Sequence, residues 1–400
     1  MKERKSSFIL AILLLNLFIT FLGISLVIPV MPTIMNELGI NGTTVGYLVA
    51  MFALTQFIFS PLLGRAADKF GRKIMITSGM IVFGLSELLF GVGKTTELLF
   101  LSRILGGLSA AFIMPAVNAY IADITDIQTR PKAFGYMSAA ISTGFIIGPG
   151  IGGFLAAFGH RVPFFVAAGF AFFAFVLSVF LLPEPERQVT NEPVSIGKNS
   201  LKKIFEPLFF LPFIIIFVSS FGLASFESLF SLFADHKFGF DSKDIAIMIT
   251  GGAIIGAIFQ AVLFDRMTAW WGEISLVRYC LIISIILVFL MTVVNTYFSI
   301  MFVTFTVFVG FDLLRPAVTN YLSRIAGNEQ GTVSGINSMF TSLGNMFAPI
   351  VGGKLFDINL NYPFYFSTAV LLLGFGITLF WREPGKGAHN LEEEVSSPIQ

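Results

Sequence analysis

Four ionisable side chains stand inside otherwise apolar stretches. Arg103 lies in Leu101-Ser102-Arg103-Ile104-Leu105-Gly106-Gly107 and Glu227 in Phe221-Gly222-Leu223-Ala224-Ser225-Phe226-Glu227-Ser228. Asp312 and Arg315 lie in Gly310-Phe311-Asp312-Leu313-Leu314-Arg315-Pro316. A charge in hydrocarbon is costly and usually faces a polar cavity or a partner. Asp312 and Arg315 are three residues apart, so on a helix they share a face and can pair. A purely structural ion pair and a functional acid are both open readings there. Pro316 lacks the N–H that would bond the Asp312 carbonyl, which predicts a kink. Glu227 has no local cation, so its carboxyl is a candidate to bind and release a proton. Arg103 either snorkels to an interface or faces the interior. Glu87 is a further acid, expected to face an outer vestibule.

Aromatic residues interleave with these charges: Phe21, Phe52, Phe145, Phe226, Phe308 and Phe311, with Gln56 and Asn345 as polar company. Most of the 48 phenylalanines must face lipid or core. Those near Glu227 and Asp312 would build a greasy cavity holding buried anions. Such a cavity suits flat lipophilic cations through burial, ring stacking and cation–π attraction.

The elements that must position these residues follow from composition. The 400 residues are 55% apolar and 12% charged, with 25 Lys and Arg and 24 Asp and Glu. A soluble chain of this length would carry roughly a quarter charged residues. A net charge of +1 gives no basic field for nucleic acid. A single cysteine, Cys280, and three scattered histidines (His160, His236, His389) offer neither a disulfide nor zinc spacing. No metal or cofactor is expected, and no nucleophile constellation points to an enzyme. The chain reads as an all-α integral membrane protein.

A spanning helix takes about 20 apolar residues. Uncharged runs predict twelve spans, near 8–30, 44–63, 74–93, 98–121, 134–158, 163–182, 209–233, 244–264, 274–294, 297–321, 331–356 and 362–381. The first is long, lacks an A-x-A cleavage pattern and is followed by further spans, so it reads as a helix rather than a signal peptide. With the amino end inside, 18 of the 25 Lys and Arg fall in inner segments and five in outer ones. The positive-inside rule then places both termini in the cytoplasm. Pro115-Ala116-Val117-Asn118-Ala119-Tyr120 returns as Pro316-Ala317-Val318-Thr319-Asn320-Tyr321. Gly135, Ser138, Ser142, Gly144, Pro149, Gly152 and Gly153 return 200 residues later as Gly335, Ser338, Ser342, Gly344, Pro349, Gly352 and Gly353. This duplication predicts two pseudo-symmetric six-helix bundles, 1–182 and 208–382, joined by a cytoplasmic linker, 183–207, and followed by a polar tail, 383–400. Paired halves of this kind place a substrate site near the membrane midplane.

The segment Gly64-Arg65-Ala66-Ala67-Asp68-Lys69-Phe70-Gly71-Arg72-Lys73 reads as a tight cytoplasmic loop. Its cations serve topology on the simplest account. The whole string matches G-x-x-x-D-[RK]-x-G-[RK]-[RK], the signature of the major facilitator superfamily, which the full chain resembles. The resemblance implies a major facilitator fold, with Asp68, together with Gly64 and Arg72, latching the cytoplasmic side in one state. The matching loop in the second half, Asp265-Arg266 through Gly272-Glu273, is degenerate, so the latch is expected to be asymmetric. Gly144-Phe145-Ile146-Ile147-Gly148-Pro149-Gly150-Ile151-Gly152-Gly153 has a small face that lets helices approach closely, with Gly252 and Gly256 as a matching face. It also fits G-x-x-x-G-P-x-x-G-G, found in antiporters of that superfamily, with Gly144, Gly148, Pro149 and Gly153 at the motif positions. Gly91-Val92-Gly93-Lys94-Thr95-Thr96 imitates a nucleotide-binding loop, but Leu88 stands where such a loop needs glycine and no strand precedes it. ATP drive is not supported.

Phe21-Leu22-Gly23-Ile24-Ser25-Leu26-Val27-Ile28-Pro29-Val30, Gly135-Tyr136-Met137-Ser138 and the Gly310–Pro316 string resemble the Bmr, Blt and NorA type of multidrug efflux pump from Gram-positive bacteria. Ser25 stands where that type usually has glycine. The resemblance implies a monomeric proton antiporter of the cell membrane that exports dyes, quaternary ammonium compounds and fluoroquinolones. It makes Glu227 and Asp312 the proton-coupling acids and gives Arg103 a supporting part in proton transfer, with Arg315 as the cation beside Asp312. Phe145, Val288 and Phe308 match positions of drug or inhibitor contact; Phe21, Phe52, Gln56 and Asn345 match pocket-lining positions. The alternative is a facilitator for one metabolite, such as a polyamine or sugar, whose pocket would need a fixed polar constellation.

Overall fold

The computed structural model describes residues 2–126, 128–185, 207–326 and 330–381. Nearly all of the 183–207 linker and all of the 383–400 tail lie outside the described residues, as do the inner-side cations Arg187, Lys198, Lys202, Lys203, Arg382 and Lys386. Among the described residues the chain is helical and contains no strand. In order the helices are α1 (Lys2–Leu26), α2 (Met31–Leu38), α3 (Gly42–Phe70), α4 (Arg72–Val92), α5 (Thr96–Ile124), α6 (Arg130–Ala156) and α7 (Val162–Leu181). The second half supplies α8 (Pro207–Phe238), α9 (Ser242–Trp271), α10 (Glu273–Val293), α11 (Tyr297–Ala326), α12 (Gln330–Ile358) and α13 (Tyr362–Phe380). Among the described residues, eleven helices are long and apolar enough to cross a membrane. The twelfth long helix, α12, is as long as its neighbours but carries Ser334, Asn337, Ser338, Thr341, Ser342 and Asn345, which dilute its apolar surface.

The helices extend past the uncharged runs that predict them. The first run ends at Leu26, and a 3-10 turn over Ile28–Val30 leads into the short α2. Pro29 and Pro32 account for the break, because neither can donate to an α-helical ladder. At the other membrane side the predicted loop Gly64–Lys73 is mostly helix. α3 continues to Phe70, one residue turns the chain, and α4 begins at Arg72. Charge marks where a helix leaves hydrocarbon, not where it stops. The stop is Gly71, at φ +109°, and its counterpart Gly272 at φ +75° ends α9 seven residues beyond the predicted 264. Side-chain-bearing residues rarely adopt that backbone region. Pro316 is accommodated within α11, which runs unbroken from Tyr297 to Ala326.

Two six-helix bundles meet along two seams, α3 against α12 and α6 against α9. Both seams are tight at one end. A Cβ on Gly46 would lie 2.0 Å from the Pro349 carbonyl oxygen, and one on Gly353 would lie 2.4 Å from the Gly42 carbonyl oxygen. On the other seam a Cβ on Gly153 would meet Ala246 Cβ at 2.3 Å. Toward the opposite end the same four helices expose Leu62, Tyr136, Ile258 and Ser338. There Gly135 and Gly335 have open space around them. The bundles are closed at the end holding the α6–α7 and α12–α13 turns and splayed at the end holding Gly71 and Gly272.

Candidate functional site

Glu227 on α8 and Asp312 and Arg315 on α11 form one electrostatic group. Glu227 and Asp312 are half-buried while Arg315 is exposed, although it lies well inside α11. The three therefore line accessible space between helices instead of a sealed core. No ion pair within 4 Å joins Asp312 to Arg315 among the described residues, so the close pair allowed by their spacing is not formed.

Asp312 has its position for a steric reason. The missing side chain of Gly256 on α9 makes room for it: a Cβ there would lie 2.0 Å from Asp312 Oδ2. One turn earlier, a Cβ on Gly252 would lie 2.4 Å from the Phe308 ring. Gly252 and Gly256 thus face α11, and are not the counterpart face for α6 that the sequence suggests. Phe308 packs edge-on against Phe226 at 5.4 Å between ring centres, and Phe226 continues to Phe230 at 5.3 Å. Phe226 and Phe308 are both buried. Acids, guanidinium and rings so form a charged edge on an aromatic wall.

The first half supplies a second aromatic group. Phe21 on α1 lies 5.1 Å from Phe145 on α6, and Phe145 is exposed. The α1–α6 approach that brings them together depends on Gly144, Gly148 and Gly152. A Cβ at Gly144 would meet the Phe18 carbonyl oxygen at 2.8 Å, and one at Gly152 the Leu26 carbonyl oxygen at 2.4 Å. Ser25, the departure from the family pattern, fills the middle. Its hydroxyl donates to backbone carbonyl oxygens, among them those of Leu22 at 3.1 Å and Gly144 at 3.2 Å, and only glycine fits opposite it at 148. The fourth motif glycine, Gly153, turns instead toward α9. Phe52 and Gln56 on α3 lie against Gly106 and Gly107 of α5, and Asn345 on α12 is exposed.

Other candidates lie apart from this group. Arg103 is 6% exposed and its guanidinium lies 4.2 Å from the centre of the Phe90 ring. It does not snorkel. Its electrostatic companion is Glu87, which at 1% exposure is buried rather than facing a vestibule. Val288 is fully buried in the core of the second half.

At the splayed end, Asp68 pairs with Arg72 at 2.7 Å, and Arg72 also reaches Asp123 at 3.2 Å. Gly64 packs beside Pro115. Glu184, just beyond α7, accepts from the Arg72 and Lys73 amides at 2.6 and 3.1 Å. It therefore satisfies the otherwise unpaired N-terminus of α4. Sequence reading missed this contact because 112 residues separate the partners. The second half is not merely degenerate here. Glu273 opens α10 where Arg72 opens α4, and it pairs with Arg324 at 2.7 Å, the counterpart of Asp123. The pair recurs with its signs exchanged.

A helical bundle closed at one end, with duplicated glycine seams and a charged central edge, is shared with a known architecture. A model of the Major Facilitator Superfamily matches residues 13–339 and 271–399. The chain belongs to the major facilitator superfamily. It is 66% identical over 380 residues to Multidrug resistance protein 1 of Bacillus subtilis, covering 95% of this chain and 98% of that one. Quinolone resistance protein NorA of Staphylococcus aureus is 45% identical over 372 residues, 93% of this chain and 96% of its own. Among solved structures, a bacterial homologue of the human lysosomal transporter Spinster, inward-facing and unoccupied, superposes with a TM-score of 0.80 at 15% identity. That match covers 94% of this chain and 96% of that one. The nucleoside transporter NupG gives 0.73 at 15% identity, over 98% and 100%. The shared architecture makes this a multi-pass membrane protein.

Proposed function

We propose that this protein exports lipophilic, mostly cationic compounds from the cytoplasm in exchange for protons, working as a monomer in the cell membrane. The single observation carrying this reading is the Glu227–Asp312–Arg315 group, accessible yet set on the Phe226–Phe308 wall and fitted against Gly256. The buried Phe226–Phe308 pair backs the acids, and the exposed Phe145 ring beside Phe21 offers flat apolar cargo a stacking face with little demand on its shape. The two carboxylates add attraction for positive charge and lose that attraction when protonated. The names of the relatives, multidrug resistance and quinolone resistance proteins, support the cargo class.

The distribution of Lys and Arg makes the splayed end cytoplasmic, so both termini lie inside and the structure is the inward-facing state. Cargo then reaches the acids from the cytoplasm or inner leaflet. The units 1–182 and 208–382 rock, the closed seams part, and external protons neutralise Glu227 and Asp312 and release the cargo. Coupling arises because each state binds cargo and proton with different affinity. Arg315 beside the acids keeps the emptied site from holding two bare negative charges, and Arg103 supports the first bundle from its buried place beside Glu87. Phe21, Phe52, Gln56, Phe145 and Asn345 complete the lining. Val288 acts through the packing behind it. Asp68 and Arg72, with Gly64, re-form the cytoplasmic latch in the opposite state.

The test is efflux of ethidium from proteoliposomes under an imposed pH gradient. Glu227→Gln and Asp312→Asn should each abolish gradient-driven efflux while leaving ethidium binding measurable. Normal pumping by both variants refutes the assignment of these acids.

A further inference from the structure

The two seams close in different ways. A helix leaves its first four amides without intrahelical acceptors. At the start of α3, Asn41 accepts the Thr44 amide at 3.0 Å, as a local cap does. The two preceding amides are taken by the other bundle. Asp357, at the end of α12, accepts from the Gly42 amide at 2.7 Å (Oδ1) and the Thr43 amide at 2.9 Å (Oδ2), and the Thr43 hydroxyl also donates to Oδ2. One turn inward the Lys354 ammonium lies 5.8 Å from the Tyr47 ring across the same seam. A carboxylate at a helix N-terminus gains both hydrogen bonds and the favourable end of the helix dipole.

The α6–α9 seam lacks this tie. Position 157, which corresponds to Asp357, is alanine. Asp241 caps its own helix through the Lys243 and Asp244 amides at 2.9 and 2.8 Å. Glycine-mediated packing of Gly150 and Gly153 on Thr250, Ala246 and Ser242 closes that seam. Closure there is by surface fit alone, among the described residues.

We propose that Asp357 is a one-sided latch: its carboxylate caps α3 only while the closed end is shut, so each opening of the α3–α12 seam uncaps that helix. The latch biases the resting equilibrium toward the closed form and makes the α3–α12 seam the one whose parting is resisted electrostatically. This device is independent of cargo and proton coupling, and its test uses neither.

Spin labels at Asn36 and Ile358 of the full chain in nanodiscs, without cargo or gradient, report the width of this seam by pulsed EPR. Asp357→Ala should raise the ratio of wide to narrow separations roughly fivefold to tenfold, the weight of a lost helix cap. Thr43→Val keeps the amide bonds and should shift the ratio in the same direction by less. Asn41→Ala removes the local cap of the same helix without touching the seam and should leave the ratio unchanged. An unshifted distribution in Asp357→Ala overturns the latch, as does an equal shift in Asn41→Ala, which would mean simple fraying of α3. Should Asp357→Ala fail to fold, an unshifted Thr43→Val overturns it instead.

Discussion

Gly256→Ala places a methyl group where the Asp312 carboxylate now lies. The added Cβ would sit 2.0 Å from Oδ2, 3.0 Å from Cγ and 3.3 Å from the Phe308 carbonyl carbon. A tolerable contact needs the carboxylate to retreat by about 1 Å, away from α9. Overpacking of this kind costs about 1–3 kcal/mol. Alanine recovers about 1 kcal/mol over glycine in a helix, so the net loss of stability is about 0–2 kcal/mol. Two backgrounds separate the terms. In Asp312→Asn the side chain keeps its size, so the cost of Gly256→Ala should persist. In Asp312→Ala the obstructing atoms are gone, and Gly256→Ala should become neutral or stabilising. The assay is denaturant or thermal unfolding of all six proteins in one detergent, read as double-mutant cycles. Ethidium efflux should fall in Gly256→Ala even where the protein folds, because the acid is displaced from the cavity edge. Equal cost in the Asp312→Ala and wild-type backgrounds refutes the steric account of this site.

Gly135→Ala and Gly335→Ala have no neighbour to meet and should raise stability by up to about 1 kcal/mol through helix propensity; a loss in melting experiments would show that the splayed end is packed. Arg103→Ala removes the cation lying over the Phe90 ring and the positive charge that acts on the buried Glu87 and should cost about 2 kcal/mol, part of it restored by adding Glu87→Gln; if the second substitution rescues nothing, the two are not coupled. Arg324→Ala should destabilise by about 1–3 kcal/mol, because it takes a charged donor from the buried Glu273 carboxylate, which it meets at 2.7 Å. Exchanging the pair, Glu273→Arg with Arg324→Glu, gives the polarity already found at Arg72 and Asp123, and should be better tolerated than either single change. Glu184→Ala should cost about 1 kcal/mol by uncapping α4, measured as earlier loss of protection at the Arg72 and Lys73 amides in hydrogen exchange.

The architecture was legible because its causes are local or periodic. Apolar runs long enough to cross a bilayer, a 200-residue repeat and lopsided cation placement each leave a mark that needs no coordinates. The helix ends were not legible from the same marks. Gly64 to Phe70 reads as loop because it is charged, yet a helix leaving the bilayer continues in water until something breaks it, here Gly71. Of the candidate site, sequence context marked Asp312 and Arg315 as a possible pair and Glu227 as an acid without a local cation; that Arg315 acts on both acids was not legible. The Asp312–Arg315 separation could not be read: a three-residue spacing permits an ion pair, but rotamers decide whether one forms. Gly252 and Gly256 show a similar limit. A small face announces close approach without naming the neighbour, and only the fold assigns it to Phe308 and Asp312.

The sign-exchanged pairs show what duplication preserves. Searching the second half for the first half's acid and base finds Glu273 where Arg72 is expected, and the loop looks eroded. The physical requirement at that place is an attraction between the start of one helix and the end of the next, at a turn made by a positive-φ glycine. Arg72 with Asp123 meets it, and so does Glu273 with Arg324. Charge reversal on both partners keeps the attraction and alters only the field around it. That field is where the halves differ. Arg72 also binds Asp68, at 2.7 Å, whereas Glu273 draws on Asn320 and Arg324 of α11. The closed end has the same logic, with Asp357 on one seam and Ala157 at the corresponding place on the other. Twofold ancestry fixed the positions of contact, and the charges placed on them make the halves unequal partners in one rocking motion.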